Sequence, residues 1–209
     1  MSFMLSLQLS RAESQFRDAC GLVDRSDRTR RRHQLESILS DSWQAYCAFV
    51  RQLCIRSASG CTTRGGTIHA ASIAPATWGR ASYIAVCVTH RRPVKPTIEN
   101  TMLFTEPTWG DAARIIEIVK ALNPGNSSVL MAALAGGLNG PKHCQIVRNA
   151  CAHKNHQTRA AVRGLAPSYI AAPIQSPVDV LSWRDPASND FAFVSWLDDM
   201  RLISELAVA

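Results

Sequence analysis

Two long runs of apolar residues at helical spacing begin the chain and constrain its fold more than any other feature. The first run passes through Leu5, Leu9, Ala12, Phe16, Ala19 and Val23. The second passes through Leu35, Ile38, Leu39, Tyr46, Phe49, Val50 and Leu53. Because residues three and four apart lie on one face of an α-helix, each run predicts a helix with one buried side. A chain that begins in this way is expected to be mainly α.

Further helix signals follow in the second half of the chain. The segment "DAARIIEIVKAL" predicts a helix that starts near Asp111 and ends at Asn123. A short apolar helix should follow, capped by Ser127 or Ser128, and Pro141 fits the first turn of the next one. The segment "NDFAFVSWLDDMRLISELAV" predicts an amphipathic helix at the end of the sequence.

Residues 57–100 differ in composition from the segments around them. Gly, Ser, Thr and Pro interrupt this region, and "SYIAVCVTH" at residues 82–90 predicts a strand because β-branched and aromatic letters cluster there. The sequence therefore predicts a single helical domain over residues 1–209, with a small β or irregular insertion at residues 57–100.

Composition limits the classes of function. With 209 residues and 46% hydrophobic letters, the chain can bury a core, and 23 Lys and Arg against 16 Asp and Glu give a net charge of +7. This excess favours a polyanionic partner such as nucleic acid. No apolar run reaches the roughly 18–20 residues that a membrane span needs. Seven cysteines without a CxxC pair, behind an N-terminus without a signal-peptide pattern, predict a cytoplasmic protein, and we expect no metal site or cofactor.

The densest group of positive charges lies in "RSDRTRRRHQ", between the first two predicted helices. Its arginines are Arg25, Arg28, Arg30, Arg31 and Arg32. Such a run can be a solvated helix end that needs no partner, or it can contact phosphates. We predict RNA contacts for Arg28, Arg30, Arg31 and Arg32, and also for Lys154.

The segment "QIVRNACAHKNHQ" at residues 145–157 combines polar and apolar letters in what the pattern predicts as one helix. At helical spacing Gln145, Asn149, His153 and His156 share a face, and Arg148 lies one position away. A histidine titrates near neutral pH and can move a proton to or from an RNA hydroxyl, while an arginine can hold the phosphate. This chemistry needs no metal ion, and we predict Arg148, Asn149 and His153 as catalytic residues.

One histidine leaves either the acid or the base unassigned. A two-fold dimer that brings this helix against its copy supplies a second histidine and a second arginine. The motif therefore predicts a homodimer.

The segment "RNACAH", Arg148 to His153, resembles the R-x4-6-H motif of the HEPN-superfamily ribonucleases, which prefer Asn, Asp or His directly after the arginine. The resemblance implies a helical bundle whose motif helices pair across a dimer to form a metal-independent endoribonuclease site. It also implies a toxin or antiphage effector, with a cognate antitoxin or regulatory protein as a partner. Some toxins of this family have a tyrosine two residues after the histidine, where a partner enzyme modifies them. Asn155 occupies that position here, which counts against that mode of control.

Two other functions remain open from the sequence. Arg148 and His153 can belong to a helical RNA-binding or scaffold module without catalysis. The arginine run can also belong to a DNA-binding regulator, although no helix-turn-helix spacing accompanies it.

Overall fold

Helices account for most of the chain in the computed structural model, which describes residues 1–21, 28–170 and 173–209. In chain order the helices are α1 (Ser2–Gly21), α2 (Arg28–Ser59), α3 (Trp78–Thr89), α4 (Ala112–Leu122), α5 (Ser127–Ala135), α6 (Gly140–Ala152), α7 (His156–Arg163), α8 (Pro177–Leu181) and α9 (Ala192–Leu206). Two short antiparallel strands, β1 (Cys61–Thr62) and β2 (Ile68–His69), lie between α2 and α3. The prediction of a mainly α fold with a small β element is confirmed.

The contacts divide the described chain into two units. Unit 1 comprises residues 1–2, 47–137 and 202–209, and unit 2 comprises residues 3–46 and 138–201. The predicted insertion at residues 57–100 contains the end of α2, both strands and α3, and it belongs to unit 1.

The two helices predicted at the start of the chain are confirmed. α1 buries Leu5, Leu9, Ala12, Phe16 and Ala19, as the period requires. Val23 lies outside the described residues. In unit 2, the ring of Phe16 lies 4.6 Å from that of Phe193 and 5.3 Å from that of Phe191, measured between ring centroids. Aromatic contacts thus pack α1 against the first turns of α9.

The strand predicted at residues 82–90 is wrong, because residues 82–89 belong to α3 and His90 is its C-cap. The Thr77 hydroxyl accepts the N–H of Arg80 at 3.1 Å and caps the helix. Ala81, Ser82 and Ala85 are buried, and α3 packs against α4. Small residues on the buried face let two helices approach closely, and this packing outweighs the β preference of the Val and Ile letters.

The ends predicted for α4 are confirmed, whereas the predicted cap of α5 is wrong. The carboxylate of Asp111 accepts the N–H groups of Ala113 and Arg114, and Asn123 ends α4 in the left-handed conformation. α5 begins at Ser127, so its N-cap is Asn126 and neither predicted serine. Asn126 makes no side-chain cap; its amide donates to the Ser57 hydroxyl at 3.1 Å.

A buried carboxylate organises the loop before α4 in unit 1. Arg51 holds Glu106 through two hydrogen bonds of 2.5 and 2.7 Å, and Ser82 and Trp109 also donate to it. Burial would raise the pKa of Glu106, but these hydrogen bonds outweigh it and hold the pKa below its usual value. The ion pair is therefore fully hydrogen-bonded, which is what a buried charge requires.

In unit 2 the start of α6 lies directly on α9. The N–H of Gly140 donates to the Asp199 carboxylate at 2.8 Å. A Cβ atom at Gly140 would lie 2.7 Å from the Cα atom of Trp196, which is closer than side-chain carbons approach backbone. The Trp196 indole in turn donates to the Tyr169 hydroxyl, which lies 2.6 Å from Nδ1 of His143 on α6. Burial, with a smaller effect from the Lys142 charge, lowers the pKa of His143.

We expect Gly140→Ala to destabilise the protein by about 1–3 kcal/mol, because overpacking against backbone forces α6 away from α9. Gly21→Ala is the matched control, since a Cβ atom there has no atom of the described residues within 4 Å. Urea unfolding followed by circular dichroism gives both free energies of unfolding. Equal stabilities for the two variants would contradict the close approach of α6 and α9.

Candidate nucleic-acid interface

The segment predicted as one helix through residues 145–157 is divided between two helices, so that prediction is wrong. α6 ends at Ala152, His153 has φ −123° and ψ 83°, and α7 begins at His156. Gln145 and Asn149 remain on α6, but His153 and His156 have left it. The predicted polar stripe therefore does not form on one helix face.

Asn155 causes the break between α6 and α7. Its side chain accepts the N–H of Thr158 at 3.0 Å, and the Thr158 hydroxyl lies 3.4 Å from the N–H of Asn155, which completes a capping box. The Thr158 hydroxyl also donates to the carbonyl of His153. Asparagine favours such an N-cap over a helix interior, because its short side chain replaces the missing backbone partners.

Arg148 lies in a groove with acidic residues. This groove, of about 340 Å³, is also lined by Glu36, Ser37, Ser40, Asp41, Cys151 and Ala152. The Arg148 guanidinium lies 3.4 Å from the side-chain oxygen of Asn149. Burial, with a smaller effect from Glu36, raises the pKa of the Cys151 thiol to about 12, so this thiol stays protonated at neutral pH. Glu36 is paired with Arg32, so Asp41 is the carboxylate of this groove that opposes a phosphate.

The His153 imidazole is exposed at the end of α6. Both backbone polar groups of His153 are hydrogen-bonded. Its N–H donates to the backbone carbonyl of Asn149 at 2.8 Å, and its carbonyl accepts the N–H of Asn155. In residues 1–21, 28–170 and 173–209, no hydrogen bond or ion pair engages the ring. A fixed backbone and an unengaged ring leave the imidazole open to a bound molecule.

A second cleft in unit 2 is strongly basic. It has a volume of about 620 Å³ and is lined by Arg32, Ala150, Lys154, Arg159, Arg163 and residues 175–178. Arg32 comes from α2, Lys154 from the break after α6, and the other two arginines from α7. Four cations around one concave surface form a site of strong positive potential.

The carboxylates near this cleft are already engaged. Glu36 pairs with Arg32 at 2.7 Å, and Asp179 accepts the N–H groups of Gln175 and Ser176. Among the described residues, no ion pair involves Lys154, Arg159 or Arg163. Most of the positive charge of the cleft is therefore not neutralised by the residues that the structure describes.

The predicted basic run is divided between several environments. Arg32 and Lys154, both predicted to contact RNA, line the cleft. Arg31 is half-buried beside the Cys20 thiol, and Arg28 and Arg30 are exposed in the first turn of α2. None of these three is among the described residues that line the cleft. Arg25 lies outside the described part of the chain.

Arg159 and Arg163 were not predicted as binding residues, although the sequence contains a signal for them. Glu117 and Asp179 enclose a stretch without any acidic residue, whose Lys and Arg residues are Lys120, Lys142, Arg148, Lys154, Arg159 and Arg163. Arg159 and Arg163 are four residues apart, so they share one face of α7. The one-helix prediction hid this face, since it ended the region of interest near residue 157.

Comparison of the chain with protein-family models, with curated proteins and with solved structures finds no match in any of the three. Within the described residues, no three His, Cys, Asp or Glu side chains are grouped as metal ligands would be. In the same residues, no helix combines the length and the apolar character needed to cross a membrane.

We expect Asn155→Ala to lower the free energy of unfolding by about 0.5–2 kcal/mol, because the N–H groups at the start of α7 lose their cap. Asn155 and Thr158 form one box, so the double variant with Thr158→Ala should cost less than the sum of the single changes. Gln157→Ala, at an exposed neighbour, is the control and should be close to neutral. Additive effects would show that the capping box does not form in solution.

Proposed function

We propose that the protein binds RNA in the basic cleft of unit 2 and cleaves it at His153 without a metal ion. The single observation behind this proposal is the cleft itself. Arg32, Lys154, Arg159 and Arg163 surround a concave surface, and His153 is the direct neighbour of Lys154. His153 itself is not among the described residues that line the cleft, so its proposed role rests on its place next to Lys154 in the chain.

The charges of the cleft support a polyanion as the ligand. Each phosphate contact made by Lys or Arg releases counterions and adds to affinity. Guanidinium groups suit phosphates because they donate two parallel hydrogen bonds. RNA is the proposed polyanion because its 2′-hydroxyl can attack the adjacent phosphate, so a proton-transfer group such as His153 is sufficient for cleavage. The expected products have cyclic phosphate ends.

A homodimer supplies the second half of the proposed chemistry. A single exposed imidazole can act as base or acid, and a second copy of His153 supplies the other role. Arg148 and Asn149, predicted as catalytic from the motif, would then stabilise the phosphate of the shared site. This part of the proposal rests on the HEPN resemblance, because Arg148 lies in the groove of Glu36 and Asp41 rather than in the basic cleft.

The position of Arg148 favours a second candidate function, an RNA-binding module without catalysis. In this case the cleft holds the strand, and Arg148 only balances the charges of its groove. Both candidate functions place RNA in the cleft, but only the first gives His153 a catalytic role.

In cells, an endoribonuclease of this kind fits a toxin or an antiphage effector in the reducing cytoplasm. All seven cysteines of the chain are outside disulfides, as they would be there. A cognate antitoxin or regulatory protein would then limit cleavage of cellular RNA.

Removal of positive charge from the cleft tests whether RNA binds there. Arg159→Ser with Arg163→Ser should weaken binding of a labelled single-stranded RNA and reduce the slope of log affinity against log salt by about 1.4, the value for two lost phosphate contacts. Arg92→Ser with Lys95→Ser removes the same charge from exposed positions of unit 1 and should leave the slope unchanged. Fluorescence anisotropy at several salt concentrations gives both slopes. Equal slopes for the two double variants would refute the cleft as the RNA site.

Catalysis can be tested at His153. His153→Ala should lower the cleavage rate in EDTA by about 10²- to 10⁴-fold, the contribution of one general acid or base. His156→Ala, at an exposed histidine of α7, is the control and should cleave as fast as the unchanged protein. If both variants cleave at the unchanged rate, His153 is not the catalyst.

Two further results decide between the candidate functions. RNA binding without cleavage in the unchanged protein supports the binding module. Cleavage that Arg148→Ala reduces as strongly as His153→Ala supports the shared site, and light scattering should then show a dimer.

A further inference from the structure

Unit 1 contains a cavity that the proposed RNA function does not use. Its volume is about 460 Å³, within the range of small-molecule sites, which is about 300–1,000 Å³. Leu53, Cys61, Ala207 and Val208 supply apolar surface to its wall. The polar part of the wall includes Ser57, Thr62, Thr63 and Asn126, together with the arginines Arg56 and Arg64. The cavity therefore combines an apolar area, hydrogen-bonding groups and positive charge.

Asn126 has a hydrogen-bonding group with no partner. The residue is 6% exposed, and its side-chain oxygen is buried without a hydrogen bond among the described residues. Asn126 stands at the N-cap of α5, where an asparagine oxygen normally accepts a backbone N–H, yet it does not cap the helix. Instead, its NH₂ group donates to Ser57 on the cavity wall. Leaving a buried acceptor empty is unfavourable, and Asn126 lines the cavity, so a turn of its amide toward the cavity lets a ligand donate to this oxygen.

The arginines add a second requirement. Arg56 and Arg64 are both exposed, and neither forms an ion pair with the described residues. None of the described residues that line the cavity is acidic. Two unpaired guanidinium groups at one cavity favour a ligand with a phosphate, which they can bind by charge-assisted hydrogen bonds.

We propose that this cavity binds a nucleoside monophosphate whose base has an exocyclic amino group. The phosphate is held by Arg56 and Arg64, and the base lies against the apolar wall near Leu53. The amino group donates to the free oxygen of Asn126, as base amino groups do to asparagine side chains. The volume admits one nucleotide rather than a strand. The cavity is thus a ligand site separate from the RNA cleft.

Calorimetric titration of the full chain tests the site with defined probes. Adenosine 5′-monophosphate should bind at least about tenfold more tightly than ribose 5-phosphate or inorganic phosphate, because only it engages both the arginines and Asn126. Arg56→Ala and Arg64→Ala should each weaken its binding at least about tenfold. Both residues are exposed, so these variants are expected to fold. Arg92→Ala is the control for a lost surface charge.

Asn126→Leu tests base recognition. It should make adenosine 5′-monophosphate bind no better than ribose 5-phosphate, and the arginine variants decide the matter if this variant does not fold. Three results would overturn the proposal. The first is no binding of adenosine 5′-monophosphate at millimolar concentration, and the second is an affinity for it in the Arg56→Ala and Arg64→Ala variants that equals that of the unchanged protein. The third is that the unchanged protein binds ribose 5-phosphate as tightly as adenosine 5′-monophosphate. RNA binding in the cleft should be unchanged in all three variants, so failure of this site is distinct from failure of the RNA proposal.

Discussion

The geometry of the candidate interface depends on the capping box formed by Asn155 and Thr158. Without it, α6 and α7 would form one continuous helix, and Arg159 and Arg163 would lie along the axis of α6. With it, the chain leaves the helix at His153, and a new helix begins with its own cap. This short break places Lys154, Arg159 and Arg163 around one cleft with Arg32. A local competition for backbone hydrogen bonds therefore determines an electrostatic property of unit 2.

The two grooves beside α6 differ in sign. One combines Arg148 with Glu36 and Asp41, while the other combines four cations with already engaged carboxylates. A phosphate is attracted to the second, whereas the paired Glu36 and the carboxylate of Asp41 leave the first without an excess of positive charge. The basic cleft and the motif arginine are thus separated within one copy of the chain. If the motif is catalytic, the arginine must meet the strand through a second copy or through a change of its side-chain position.

Buried polar groups show a contrast within unit 1. The carboxylate of Glu106 is surrounded by donors from Arg51, Ser82 and Trp109, so its charge is fully compensated. The oxygen of Asn126 is equally buried and has no donor among the described residues. Satisfied groups hold a fold together, whereas an unsatisfied group beside a cavity indicates a place for a ligand. This difference is the physical reason for treating the first as structural and the second as a binding group.

The sequence alone determined the long helices α1 and α2, the ends of α4 and the positive charge of the protein, because these depend on local periodicity, capping and composition. Only the tertiary structure decided that residues 82–89 are helical, since the packing of α3 on α4 outweighs the β preference of their side chains. The break before Asn155 was readable in principle, but asparagine is compatible with a helix interior, and only the contacts with Thr158 decide the choice. The basic stretch that contains Lys154, Arg159 and Arg163 was readable from the sequence, but its meeting with Arg32 of α2 was not, because only folding brings residues so far apart in sequence to one surface.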